Sequence, residues 1–217
     1  MFLGHFALAM AATRAAPKAS LGTLVLSAQF ADLLWPILLL LGVEQVRIAP
    51  EITRVTPLDF VSYPISHSLL AQLVWGLLLG AIYFAWRKDF RTAAVVGTLV
   101  PTHWLLDYFS HRPDMPLYPG GPKVGLGMWD SLPLTLVVEF GLFAAGLLLY
   151  LRATRSKGGW NVAFWSLAVF LPAVYLASLF GAPPPSVRVL AFSALALWLT
   201  IPWAAWGNRQ REPRLQE

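Results

Sequence analysis

Apolar stretches of about twenty residues, separated by short polar interruptions, run through most of this chain. Such a run can cross about 30 Å of hydrocarbon as a helix, because an α-helix rises about 1.5 Å per residue. The pattern predicts spans near residues 20–42, 65–86, 92–110, 132–151, 160–180 and 188–206, preceded by a short apolar helix over residues 2–13. That first helix is too short to cross alone and is expected to pack inside the bundle as a half-crossing or re-entrant element. It lacks the basic leader of a secretory signal, so it is expected to be retained. The expected fold is therefore all-α, a polytopic transmembrane helical bundle of about six spans plus the short N-terminal helix.

Composition supports the same class. Hydrophobic residues make up 57% and charged residues 12% of the 217-residue chain, and the mean hydropathy is +0.61. A soluble domain carries about 45–50% apolar and about 25% charged residues. The net charge of +5 would suggest nucleic acid in a soluble protein, but here the basic residues sit in loops, where topology accounts for them. No nucleic-acid partner is expected; the surrounding partner is lipid. With no cysteine in the chain, thiolate metal sites, disulfides and cysteine nucleophiles are excluded.

Basic residues also orient the bundle. Arg14, Lys18, Arg87, Lys88, Arg91, Arg152, Arg155, Lys157, Arg209, Arg211 and Arg214 fall on one side of the expected spans. Arg47, Arg54, Arg112, Lys123 and Arg188 fall on the other. By the positive-inside rule the C-terminus is expected in the cytoplasm, as in a bacterial inner membrane, and the loops at 43–64 and 111–131 outside. Their Pro, Gly and Tyr clusters suit ordered turns that form a lid.

Against this apolar background, ionisable residues inside the runs stand out, because they are costly in a membrane and usually mark function. His103 and Asp107 are four residues apart and share one helix face, with His111 a further turn outward. Asp32, His67 and Glu139 fall at compatible depths on other helices, and His5 lies on the short first helix. Imidazole with carboxylate and no thiolate is the donor set of a catalytic zinc or another divalent transition metal. Ser66, Ser68 or Thr102 could fix the second ring nitrogens. Glu139 is the candidate general base or a counter-ion to Arg112 or Lys123. His111 reads as a rim residue, and Asp130 as a rim residue or the N-cap of the helix that begins at Ser131.

The motifs Gly4-His5-Phe6-Ala7, Gln29-Phe-Ala-Asp32-Leu-Leu-Trp, Pro64-Ile-Ser-His67-Ser-Leu-Leu and His103-Trp-Leu-Leu-Asp107-Tyr-Phe-Ser resemble, in content and order, those of the membrane-bound, metal-dependent hydrolase family. The resemblance covers roughly residues 1–152 and implies His5, Asp32, His67, His103 and Asp107 as metal-site residues. This chain departs from the family by offering one carboxylate, Asp32, where a Pro-Asp-x-Asp pattern is usual, and by Tyr63-Pro-Ile-Ser66 before His67.

Residues 1–157 are thus expected to form the metal-site core, and residues 158–217 a C-terminal hairpin and cytoplasmic tail within the same structural domain. Between Gly158 and Gly207 only Arg188 is charged, and Trp160, Trp165, Trp198, Trp203 and Trp206 cluster near span ends as interfacial anchors would. Three functions remain open at this level. One is a hydrolase with Asp107 and Glu139 in catalytic roles, acting on a lipid-like or membrane-delivered ester, amide or phosphoester. The others are a proton or divalent-metal transporter and a scaffold with a structural metal.

Overall fold

The computed structural model describes residues 1–214 and is mostly helical. The first helix, α1 (Leu3–Ala12), is buried on most of its surface against α2 (Leu21–Ala28), α5 (Phe90–Ser110) and α6 (Leu132–Ala153). Glycine permits that seat: a Cβ at Gly146 of α6 would collide with the backbone of Ala7. The chain then bends by 56° at Gln29 between α2 and α3 (Phe30–Leu40). The expected span over residues 20–42 is therefore two short helices joined by a bend.

Four helices are long and apolar enough to cross a membrane: α4 (Leu69–Arg87), α6, α7 (Val162–Phe180) and the continuous helix Val187–Arg209. The bent pair α2–α3 makes a fifth if it counts as one span. Leu77, Val137 and Val169 on these helices point outward, giving the bundle an apolar surface. The remaining expected span, residues 92–110, is α5, a 21-residue helix that falls short on apolarity. Its polar positions are the reason, since Thr102, His103, Asp107 and Ser110 interrupt the run.

α4 and α5 pack most closely of all. Gly76 and Gly80 on α4 form a small-xxx-small stripe against Gly97 on α5, and a Cβ at Gly76 would meet the Gly97 carbonyl. Ser68 caps α4 by accepting from the Ala71 amide at 3.2 Å, and Asp89 caps α5 through the Thr92 amide at 3.3 Å.

The last helix comprises α8 (Val187–Leu195), a 3-10 turn over Ala196–Leu199, and α9 (Thr200–Arg209). The tightening precedes Pro202, whose ring crowds the preceding turn and removes one backbone donor. This helix packs on α2 and α3, and Trp198 donates its indole N–H to the carbonyl of Leu33 at 3.0 Å.

Three two-stranded antiparallel ribbons decorate the ends. β1 (Gln45–Ile48) pairs with β2 (Leu58–Ser62), and β3 (Met115–Pro116) with β4 (Lys123–Val124). They lie in the two loops expected to form a lid. The loops are joined by the Arg54 amide to the Trp129 carbonyl at 3.0 Å, by Lys123 to the Val61 carbonyl at 2.8 Å, and by an ion pair of Arg112 with Asp59. β5 (Thr154–Ser156) pairs with β6 (Arg211–Pro213), tying the end of α6 to the end of the described chain. Of the expected tail, residues 215–217 lie outside the described residues.

Candidate metal centre

Asp107, on the last two turns of α5, is the meeting point of all four histidines. His5 Nε2 lies 3.1 Å from its Oδ1. The Nε2 atoms of His103, His67 and His111 lie 3.1, 3.9 and 3.9 Å from its Oδ2. Asp32, one turn past the bend at Gln29, adds a second carboxylate whose Oδ1 is 3.4 Å from His67 Nε2 and 3.7 Å from His103 Nε2. The rings of His5 and His103 stack with centroids 3.6 Å apart. Two sets could each hold a metal ion, His5 with His103 and Asp107, and Asp32 with His67 and His103. His103 belongs to both.

Ring-nitrogen partners set the chemistry. His103 Nδ1 lies 2.8 Å from the carbonyl of Ala28, which can only accept, so Nδ1 carries the proton. Nε2 of His103 is buried and makes no hydrogen bond of acceptable geometry. It faces two carboxylates, which also only accept. His67 Nδ1 is 2.7 Å from Ser66 Oγ, and that hydroxyl donates to Glu44 Oε2 at 2.6 Å. The hydroxyl proton is thereby used, so His67 Nδ1 is the donor to Ser66. His111 Nδ1 donates to Asp114 Oδ1 at 2.9 Å. Three imidazoles thus present Nε2 toward one carboxylate oxygen, each held by its other nitrogen, as metal-ligating histidines are.

Each position has a local cause. Glu44, fully buried after α3, accepts from the amides of Ile65 and Ser66 at 2.8 Å and pins the turn that carries His67. α1 is pinned by Glu139, whose two carboxylate oxygens accept from the amides of Phe2 and Gly4 at 2.8 and 2.9 Å. Neither Arg112 nor Lys123 pairs with Glu139: Arg112 pairs with Asp59 and Asp114. The amino group of Met1 lies against Asp107 and 3.1 Å from Ser110 Oγ.

The expected supporting residues divide. Ser66 serves His67 directly, Ser68 caps α4 and donates to the Pro64 carbonyl at 2.6 Å, and Thr102 bonds back to Leu99 at 2.6 Å. Asp130 is not brought to the cluster; it is exposed at the end of a 3-10 turn, and the N-cap of α6 falls on Ser131. His111, expected at a rim, is buried with the others.

Sequence reasoning missed Glu44 and Asp114. Both sit in loops between helices, where an acidic residue ordinarily faces water. Outside the spans, burial raises the Tyr63 hydroxyl pKa well above its usual range, and Asp114, to which it donates at 2.9 Å, adds to the rise. Burial lowers the His111 pKa despite the opposing hydrogen bond that its Nδ1 donates to Asp114. For Asp114 itself, burial pushes upward but the bond from His111 and its further partners prevail, so its carboxyl is held below its ordinary value.

A cavity of about 580 Å³ opens on the cluster. Asp32, His67, Asp107, His111 and Glu139 line it, with Trp35, Phe60 and Trp129 as aromatic walls. Residues 50, 51 and 53–58, in the loop between α3 and α4, contribute to the wall. So do Tyr175, Leu179, Gly181 to Pro184 and Leu190, from the C-terminal hairpin. The hairpin therefore shapes the cavity as well as bracing α3. Comparison with family models, curated proteins and solved structures returned no match for this chain.

Proposed function

We propose that this chain is an integral membrane, metal-dependent hydrolase of the family its motifs resemble, with the centre opening toward the outer face of a bacterial inner membrane. The observation that carries the metal is His103. With Nδ1 committed to a carbonyl, its Nε2 faces two carboxylates in a buried site, an arrangement that a bound cation would balance.

His103, His67, Asp107 and Asp32 would hold the ion, with His5 closing the side toward α1. Because His103 has one free nitrogen, the two overlapping sets amount to one ion per chain at that residue. A divalent cation held there, zinc above all for this donor set, supplies Lewis acidity that polarises a substrate oxygen and eases deprotonation of water. Asp32 is the most open of the carboxylates, with 27% of its side chain exposed, and is placed to take a proton from a nucleophile in the cavity. Glu139 also lines the cavity, but its two oxygens already anchor α1, so its first duty is to position His5. The aromatic walls and the surrounding apolar surface suit a lipid-like ester, amide or phosphoester.

A conducting path fits less well. The buried apolar cluster with Phe6, Met10, Leu24 and Phe143 lies along α1 below the site. The void lined by Phe6, Met10 and Phe143 has a volume of about 10 Å³.

Metal analysis of the detergent-purified chain, paired with hydrolysis of chromogenic esters and phosphodiesters in mixed micelles, tests the reading. Stoichiometric metal and hydrolysis that chelation abolishes and metal restores are expected. Metal-free protein, or metal without hydrolysis on lipid-like substrates of any of the three bond types, would sink it.

A further inference from the structure

A second cavity, of about 630 Å³, lies where α1, α5 and α6 end away from the histidines. Four arginines line it: Arg14 after α1, Arg91 in the first turn of α5, Arg152 in the last turn of α6, and Arg214 after β6. Among the described residues, none of the four is within ion-pair reach of a carboxylate, and no acidic residue lines the cavity. Lys18 nearby is different, since it pairs with Asp89 at 3.3 Å.

We propose that this cavity is a binding site for a phosphate group, supplied by an anionic lipid headgroup or by a soluble phosphate compound. Guanidinium forks match phosphate oxygens in pairs, and several around one cavity make a site that a single surface arginine does not. Basic pockets between helices at the cytoplasmic end of a bundle are where anionic headgroups bind.

Two further observations point to an occupant. Thr13 lines the same cavity, is 3% exposed, and has a buried hydroxyl with no hydrogen-bond partner. A phosphate oxygen would satisfy it. Arg91 stands in the first turn of α5, where the helix dipole disfavours a cation, and an anion between Arg91 and the other guanidinium groups would offset that cost. Leu149, Pro17 and Pro213 complete the wall with apolar surface, suited to the carbon skeleton next to a phosphoester. The positive-inside rule explains why basic residues lie at this end, but it does not require them to converge on one cavity with an orphan hydroxyl.

The test uses the full chain in nanodiscs of phosphatidylcholine doped with phosphatidylglycerol, with native mass spectrometry reporting retained lipid and a separate titration with inorganic phosphate. Wild type is expected to retain phosphatidylglycerol over phosphatidylcholine. The double variant Arg14→Gln/Arg152→Gln is expected to bind roughly fivefold less per arginine removed, about 25-fold in all. Thr13→Val is expected to weaken binding with all charges kept, a change that general electrostatic attraction would not produce. Retention of phosphatidylglycerol identifies the headgroup as the source. Saturable inorganic phosphate binding lost in the same variants, without lipid preference, identifies a soluble phosphate. Binding unchanged in both variants, or equal loss in Arg188→Gln at the opposite end, would overturn the proposal.

Discussion

The two ends of α5 face cavities of similar size and opposite chemistry. At one end, about 580 Å³ is bounded by buried carboxylates and imidazoles, nearly every one held by a second partner. At the other, about 630 Å³ is bounded by exposed arginines with no carboxylate among the described residues in reach. Buried charge must be paired and hydrogen-bonded to be tolerated, whereas exposed charge stays solvated at little cost. The first end therefore has the donors that could hold a cation, and the second has guanidinium groups that could receive an anion. The two ends are separable in principle, since packed apolar residues on α1 lie between them.

The largest expected effect breaks the first end. His103→Ala removes the nitrogen common to both ligand sets, so metal content should fall from about one ion per chain to near zero, and hydrolysis with it. Elemental analysis of the folded, monodisperse variant checks this. If His103→Ala kept full metal occupancy, Asp107 would not be the centre that the four histidines define. Next comes Glu44→Gln, which weakens the relay through Ser66 to His67 without touching a ligand. A loss of about 10–100-fold in metal affinity is expected, as for other groups that orient metal-binding histidines. Competition with a chelator of known affinity measures it, and anionic-lipid retention in the same variant should stay at the wild-type level.

How much of this was legible in the sequence follows from where each residue sits. His103 and Asp107 could be read because helical spacing places them on one face of an otherwise apolar run. Asp32 and His67 stood out by their cost in apolar surroundings. Glu44 and Asp114 did not, because an acidic residue in a loop has no such cost until the fold buries it. The break at Gln29 was also hidden: no proline or glycine stands at the bend, and the apolar run reads straight through residues 20–42. The apolar shortfall of α5 is the counterpart of the candidate site, since the polar residues that build it lower the helix's claim to be a span. The hairpin's part in the cavity wall depends on long-range packing, for which tryptophan spacing gives no register.

A third prediction tests whether the two ends share one rigid rod. Gly76→Val would overpack α4 against α5 at Gly97 and is expected to cost about 1–3 kcal/mol, with backbone displacement along α5. A lower melting temperature accompanied by weaker metal binding is expected. A lower melting temperature with unchanged metal affinity would show that the site is held by its loops and not by α5.

The smallest effect lies at the arginine end. Asp89 caps α5, and its carboxyl is held below its ordinary value chiefly by the Thr92 amide, then by the Thr92 hydroxyl, with Lys18 adding to the effect. A depressed carboxyl stabilises the fold above the unfolded value near 4 and loses that contribution as pH falls through the folded value. Asp89→Ala should therefore lower the melting temperature slightly at neutral pH and converge with wild type under acid. A difference that persists or grows at low pH would mean that the cap does not act through its charge.

The most direct measurement of the central claim is an experimental structure with anomalous data collected on both sides of the zinc, iron and manganese edges. A single strong peak bonded to His103 Nε2 and to oxygens of Asp107 and Asp32, with a coordination position open to the cavity, is the predicted result. The account would be contradicted by a well-ordered site with no anomalous peak in it, and with His103 Nε2 protonated and hydrogen-bonded to Asp107 instead.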